Sequence, residues 1–154
     1  MLEKLKIKIF ADGADLENIK SLSNKTYIKG FTTNPSLMRK NGVSDYKNFA
    51  FEVLKVSQKK PVSFEIFADD LAEMERQAIE ISKWGENLNV KIPITNTKGE
   101  STKDLIATLS KRKIIFNITA ILTIEQLNTV VNVLDSDTPA ILSIFAGRIS
   151  DTGI

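Results

Sequence analysis

The chain contains no cysteine and no histidine. The first absence excludes disulfides, thiolate catalysis and cysteine-ligated zinc. The second removes the commonest general base and the commonest metal ligand. Acid–base chemistry therefore falls to Asp, Glu, Lys, Tyr or water. No stretch approaches the ~18 apolar residues of a membrane span. The N-terminal MLEKLKIKIFADG lacks the long apolar core of a secretory signal, so a cytoplasmic protein with no membrane partner is expected. A net charge of +2, with KRK at 111–113 as the densest basic run, argues against nucleic acid as a partner. There is no low-complexity segment and no clear linker.

What is present reads as one globular domain over residues 1–154. Apolar residues make up 42% and charged residues 26%, ordinary values that allow a sizeable core. Short β-rich runs alternate with longer amphipathic ones. Strands are predicted over 6–12, 27–33, 61–67, 88–94, 114–121 and 138–147. Helices are predicted over 14–23, 34–40, 45–58, 69–85, 99–113 and 123–135, the last capped by Thr123. This β-then-α repeat points to a parallel sheet with helices outside it. The sheet could be open and doubly wound, or closed as a barrel. No glycine-rich phosphate loop follows a predicted strand, so the dinucleotide-binding version has no support.

Each predicted strand delivers a polar group towards its carboxyl end, where βα barrels carry their chemistry. Asp12 follows the first strand, and Thr32, Thr33 and Asn34 the second. Glu65 lies late in the third, Lys91 in the fourth, and Asn117 and Thr119 in the fifth. Ser143 and, further on, Arg148 belong to the sixth. Each has a plainer reading. Asn34-Pro35 is a good helix start, Asp12 before Gly13 can shape a turn, and Arg148 can be a surface cation. Lys91 stands between Val90 and Ile92, where an amine is costly unless it is paired, exposed or neutral. Glu65, among Phe64, Ile66 and Phe67, is equally expensive if buried unpaired.

The segments GFTTNPSLM, VKIPIT, FNITAILT and SIFAGRISD resemble the successive signatures of the transaldolases and their relatives, the fructose-6-phosphate aldolases. The resemblance runs from about residue 8 to the last residue. It implies a TIM (β/α)8 barrel in which Lys91 forms a Schiff base with the substrate, with no metal and no cofactor. An amine attacks a ketone only when unprotonated, and desolvation disfavours the ammonium form. The apolar neighbours of Lys91 would serve that end. By the same resemblance Asp12 exchanges a proton with the C4 hydroxyl, and Glu65 and Thr119 hold a proton-shuttling water. Asn34, Asn117 and Ser143 would bind the three-carbon fragment, with Thr32 lining the pocket. Arg148 would bind phosphate and Phe145 would form an apolar wall. Glu65 and Phe145 look like the transferase branch, because the aldolase branch usually carries Gln and Tyr there. Transfer of a dihydroxyacetone unit between sugar phosphates is thus expected, with direct aldol cleavage as the alternative.

About six βα units fit in the chain, whereas a closed barrel of this type usually needs about 200 residues or more. The expectation is a domain truncated at its C-terminus, a fragment of a longer protein. Its first and sixth strands would be open edges, and it is expected to form a homo-oligomer. Two copies completing each other's sheet, or an inactive half-barrel acting as a binding protein, are the competing readings.

Overall fold

The computed structural model describes residue 2 and residues 6–153. The chain divides into two compact units. One holds residues 1–65 and 83–89, the other residues 66–82 and 90–154.

In the first unit β1 (Ile9–Asp12), β2 (Ile28–Thr32) and β3 (Val62–Glu65) lie parallel in that order. Helices α1 (Leu16–Ser23), α2 (Pro35–Lys40) and α3 (Tyr46–Val56) connect them. The helix starts follow from short polar side chains that accept otherwise unpaired amide protons. Asp15 caps α1, Asn34 caps α2 with Pro35 at its first turn, and Asp45 caps α3. Phe31, Val62 and Phe64 of the strands and Ile19, Phe49, Ala50 and Val53 of the helices form the core. Fully burying one such large side chain stabilises by about 1.5–3 kcal/mol.

In the second unit the strands are β4 (Leu88–Pro93, from Val90 onward), β5 (Phe116–Ile121) and β6 (Ala140–Ile144), again parallel and in order. Its helices are α4 (Leu71–Ile81), α5 (Lys103–Lys111), α6 (Ile124–Val131) and α7 (Ala146–Asp151). Asp70 caps α4. Thr123 caps α6 in a reciprocal arrangement with Gln126, as its position in the sequence indicates. Val90, Ile92, Phe116 and Ile118 are buried together with Met74, Ala78, Ile106 and Leu109.

Parallel strands alternating with helices make this an α/β protein, and the repeat is that of a partial (β/α)8 barrel. All six predicted strands exist, with shifted ends. The first begins at Ile9 rather than residue 6. The fifth helix begins at Lys103 rather than 99, because residues 96–102 form a tight loop. There the Asn96 side chain accepts from the amides of Lys98 and Glu100, and Gly99 takes a φ of +81°. The sixth strand ends at Ile144, and α7, which the sequence reading did not foresee, follows it.

Gly30 is required by packing. A Cβ built on it would lie 2.2 Å from Cε1 of Phe10, its register partner on β1. Gly30→Ala is expected to destabilise the protein by about 1–3 kcal/mol. Phe10→Leu should relieve part of that cost, read as non-additive shifts in the denaturant midpoint; additive shifts would refute the ring contact.

Candidate active site

Strand alternation sorts the side chains of each unit onto two faces. In the first unit Ala11, Phe31, Val62 and Phe64 share one face. Asp12, Thr32, Ser63 and Glu65 share the other, because Asp12 is in register with Thr32 and Thr32 with Ser63. The Thr32 hydroxyl donates to Asp12 Oδ1 at 2.8 Å, and Asn34 Nδ2 donates to Asp12 Oδ2 at 3.2 Å. Asn34 also caps α2, its Oδ1 accepting from the Leu37 amide at 2.9 Å. The capping and functional readings of Asn34 are therefore compatible: one amide oxygen starts a helix while its nitrogen orients a carboxylate. Both oxygens of Asp12 are held by neutral donors, which fix the group without neutralising it.

Glu65 is the last residue of β3. Its backbone carbonyl accepts from the Tyr46 hydroxyl at 2.8 Å. The Tyr46 ring stands edge-on to Phe64 and Trp84, with centroids 6.1 and 5.4 Å away. Burial, and then the charge of Glu65, push the Tyr46 hydroxyl well above the ordinary phenol range. It stays protonated and remains a donor.

In the second unit Lys91 is in register with Asn117, and Pro93 with Thr119. Val90 and Ile92 are fully buried while Lys91 is partly exposed. This corrects the expectation that the apolar sequence neighbours enclose the amine. The pleat turns them to the opposite face, and Lys91 shares its own face with polar residues. The Ile66 amide donates to the Lys91 carbonyl at 3.0 Å and fixes the backbone there. Asn117, 2% exposed, accepts from the Ser143 hydroxyl at 2.7 Å. Thr119 is 3% exposed, and its hydroxyl has no hydrogen-bond partner among the described residues.

A bulge follows Thr119. Ile118 pairs with Leu142 but Ile121 with Ile144, so β5 carries one residue more than β6 across that step. Ala120 absorbs it at a φ of +61°, a left-handed conformation that costs a non-glycine residue about 1–2 kcal/mol. The extra residue changes the alternation, so Ile121 returns to the apolar face that Ile118 occupies.

Phe145 sits at the start of α7, exposed, its amide donating to the Ile121 carbonyl at 2.9 Å. Arg148 lies on α7 and not at the end of the sixth strand, because the chain turns into a helix at Ala146. Its guanidinium is exposed and 3.7 Å from the Asp151 carboxylate. A pair so open to water contributes little to stability. Phe145, Gly147, Arg148 and Asp151 border a shallow hollow of about 440 Å³.

The structure thus groups Asp12, Thr32 and Asn34 in the first unit, with Glu65 on the same face. In the second it groups Asn117 with Ser143, on the face that carries Lys91 and Thr119. Tyr46 and Ser63 escaped the sequence reading, since nothing local marks a tyrosine in the first turn of a helix as a partner of a carbonyl 19 residues on.

Residues 9–153 match the family described as Transaldolase/Fructose-6-phosphate aldolase. A probable transaldolase of Dehalococcoides mccartyi is 38% identical over 147 residues, 96% of this chain and 64% of that protein. Probable transaldolases of Carboxydothermus hydrogenoformans and Streptococcus agalactiae are 35% and 33% identical over the same shares. The chain spans 64% of the length of these curated relatives.

A buried hydroxyl without a partner destabilises by about 1–3 kcal/mol relative to an isosteric methyl. Thr119→Val is accordingly expected to raise the melting temperature. A fall would mean that the hydroxyl is satisfied within the fold.

Proposed function

The chain belongs to the transaldolase/fructose-6-phosphate aldolase family, and from that premise we propose that it acts on sugar phosphates by forming a Schiff base on Lys91. The observation that carries the reading is the setting of Lys91. It stands on the polar face of β4, in register with Asn117, whose amide is already oriented by Ser143. The same face holds the unpartnered hydroxyl of Thr119. An amine flanked by fixed hydrogen-bonding groups is suited to addition to a ketone carbonyl.

The Lys91 amine adds to the ketone carbon of a ketose phosphate, giving a carbinolamine that loses water to leave an iminium. The C3–C4 bond breaks, and its electron pair enters the iminium to give an enamine. The C4 hydroxyl proton passes to Asp12 as the aldose phosphate leaves. With an acceptor aldose phosphate the enamine forms a new carbon–carbon bond, and Asp12 returns the proton to the new alkoxide. Hydrolysis of the iminium then frees Lys91. Asp12 is prepared for this by Thr32 and Asn34, which orient both its oxygens without supplying a positive charge. Glu65 and Thr119 are assigned the water that moves protons during carbinolamine and imine formation. Asn34, Asn117 and Ser143 are assigned the hydroxyls of the three-carbon unit. Arg148 is assigned the phosphate, for which a guanidinium fork is well matched, and Phe145 the apolar wall.

Glu65 and Phe145 place the reading with transfer of a dihydroxyacetone unit, the step of the non-oxidative pentose phosphate pathway, ahead of simple cleavage. Comparing release of aldose phosphate with and without erythrose 4-phosphate separates the two, and fast release without acceptor would favour cleavage.

Borohydride reduction in the presence of fructose 6-phosphate should leave a stable adduct on Lys91, located by peptide mass spectrometry. Lys91→Met should abolish the adduct and change stability by less than about 1 kcal/mol. An unmodified but folded native chain would reject the Schiff-base reading, and severe unfolding of Lys91→Met would point to a structural amine.

A further inference from the structure

The backbone ladder between β2 and β3 breaks at a defined point. The Phe31 amide donates to the Pro61 carbonyl at 2.8 Å, and the Thr33 amide donates to the Ser63 carbonyl at 3.2 Å. A parallel ladder advances two residues at a time on each strand. The next donor would be the amide of residue 35, and the next acceptor the carbonyl of Glu65. β2 has ended by then: residue 35 is a proline without an N–H and already the first residue of α2. The Tyr46 hydroxyl donates to that carbonyl instead, at 2.8 Å. The ring that carries it is wedged edge-on between Phe64 and Trp84, so the donor has little freedom to move.

We propose that Tyr46 is a positioning residue for the Schiff-base reaction: its hydroxyl takes up the Glu65 carbonyl past the end of β2, and so holds Glu65 at the end of β3 in a fixed orientation. The proposal rests on the proton-handling role given to Glu65 above. Glu65 is the last residue of β3, and the Tyr46 hydroxyl holds the carbonyl side of the peptide whose amide, that of Ile66, donates to the Lys91 carbonyl. Fixing its carbonyl fixes the Cα–Cβ direction and with it the position of the carboxylate. A small misplacement of a proton-transfer group is costly to rate. Tyr46 need not touch the substrate, and its effect should pass entirely through Glu65.

The test is the rate of borohydride-trapped adduct formation with fructose 6-phosphate in the 154-residue chain. The native protein is compared with Tyr46→Phe, Glu65→Ala and the double variant. Tyr46→Phe should slow trapping about 10-fold or more. The double variant should be no slower than Glu65→Ala alone, because a residue that acts through Glu65 has nothing left to position. Val53→Ala, a cavity in the same helix, should lower the melting temperature without slowing trapping. Multiplying effects of the two variants, or equal slowing by Val53→Ala, would reduce Tyr46 to a structural residue and overturn the proposal. Native-rate trapping by Tyr46→Phe would overturn it while leaving the Lys91 reading intact. No adduct on the native chain would remove both together. Should Tyr46→Phe fail to fold, Trp84→Phe, which loosens the seat of the Tyr46 ring, should slow trapping in the native background and not in Glu65→Ala; equal slowing in both, or none in either, also overturns the proposal.

Discussion

Successive side chains of a β-strand point to opposite sides, and the chemistry assigned to this protein depends on that two-residue period. Lys91 can stand between Val90 and Ile92 only because the pleat sends those two side chains the other way. Both are fully buried while the lysine remains partly exposed. A slip of one residue in register would exchange the two faces, burying an amine and exposing apolar surface. Several kcal/mol of apolar burial, at about 1.5–3 kcal/mol per large side chain, therefore hold the amine where it is. The same constraint sets Asp12, Thr32, Ser63 and Glu65 opposite Phe31, Val62 and Phe64 in the other unit.

Irregular points in the ladders lie beside the candidate functional residues. β2 gives way to α2 at Pro35, one residue after Asn34, and the left-handed Ala120 follows Thr119 directly. A perfect ladder fixes every backbone group and leaves side chains in strict alternation. An interruption frees a carbonyl or shifts the phase, and so lets one side chain be aimed independently of its neighbours. The cost is local strain or an unmatched backbone group, which must be offset nearby. Tyr46 offsets one such interruption with a hydroxyl, and the buried contacts of Ile118 and Ile121 hold the other in place.

Most of the fold was legible in the sequence because it is encoded locally. Six strands, the Thr123 cap and the Asn34-Pro35 helix start could all be read from period and capping chemistry, and all are present. The departures occur where local signals conflict. SIFAGRISD begins as a strand and ends as the six-residue helix that carries Arg148, and no capping side chain marks the change. Residues 99–102, Gly-Glu-Ser-Thr, are mostly poor helix formers and lie in a loop held by the Asn96 side chain, so the helix starts at Lys103. The expected shielding of Lys91 by its sequence neighbours failed for a different reason, since adjacency along a strand is the one relation that guarantees opposite faces.

The sequence alone determined the succession of βα units, the family signatures and the set of polar residues at strand ends, because each depends on residue types within a few positions of one another. Tertiary structure decided which of those residues meet. Thr32 and Asn34 converge on Asp12, Ser143 reaches Asn117 across 26 residues, and Tyr46 reaches the Glu65 carbonyl across 19. Such pairs are set by strand register and helix packing, which sum many weak apolar contacts over the whole unit. No short stretch of chain carries that sum.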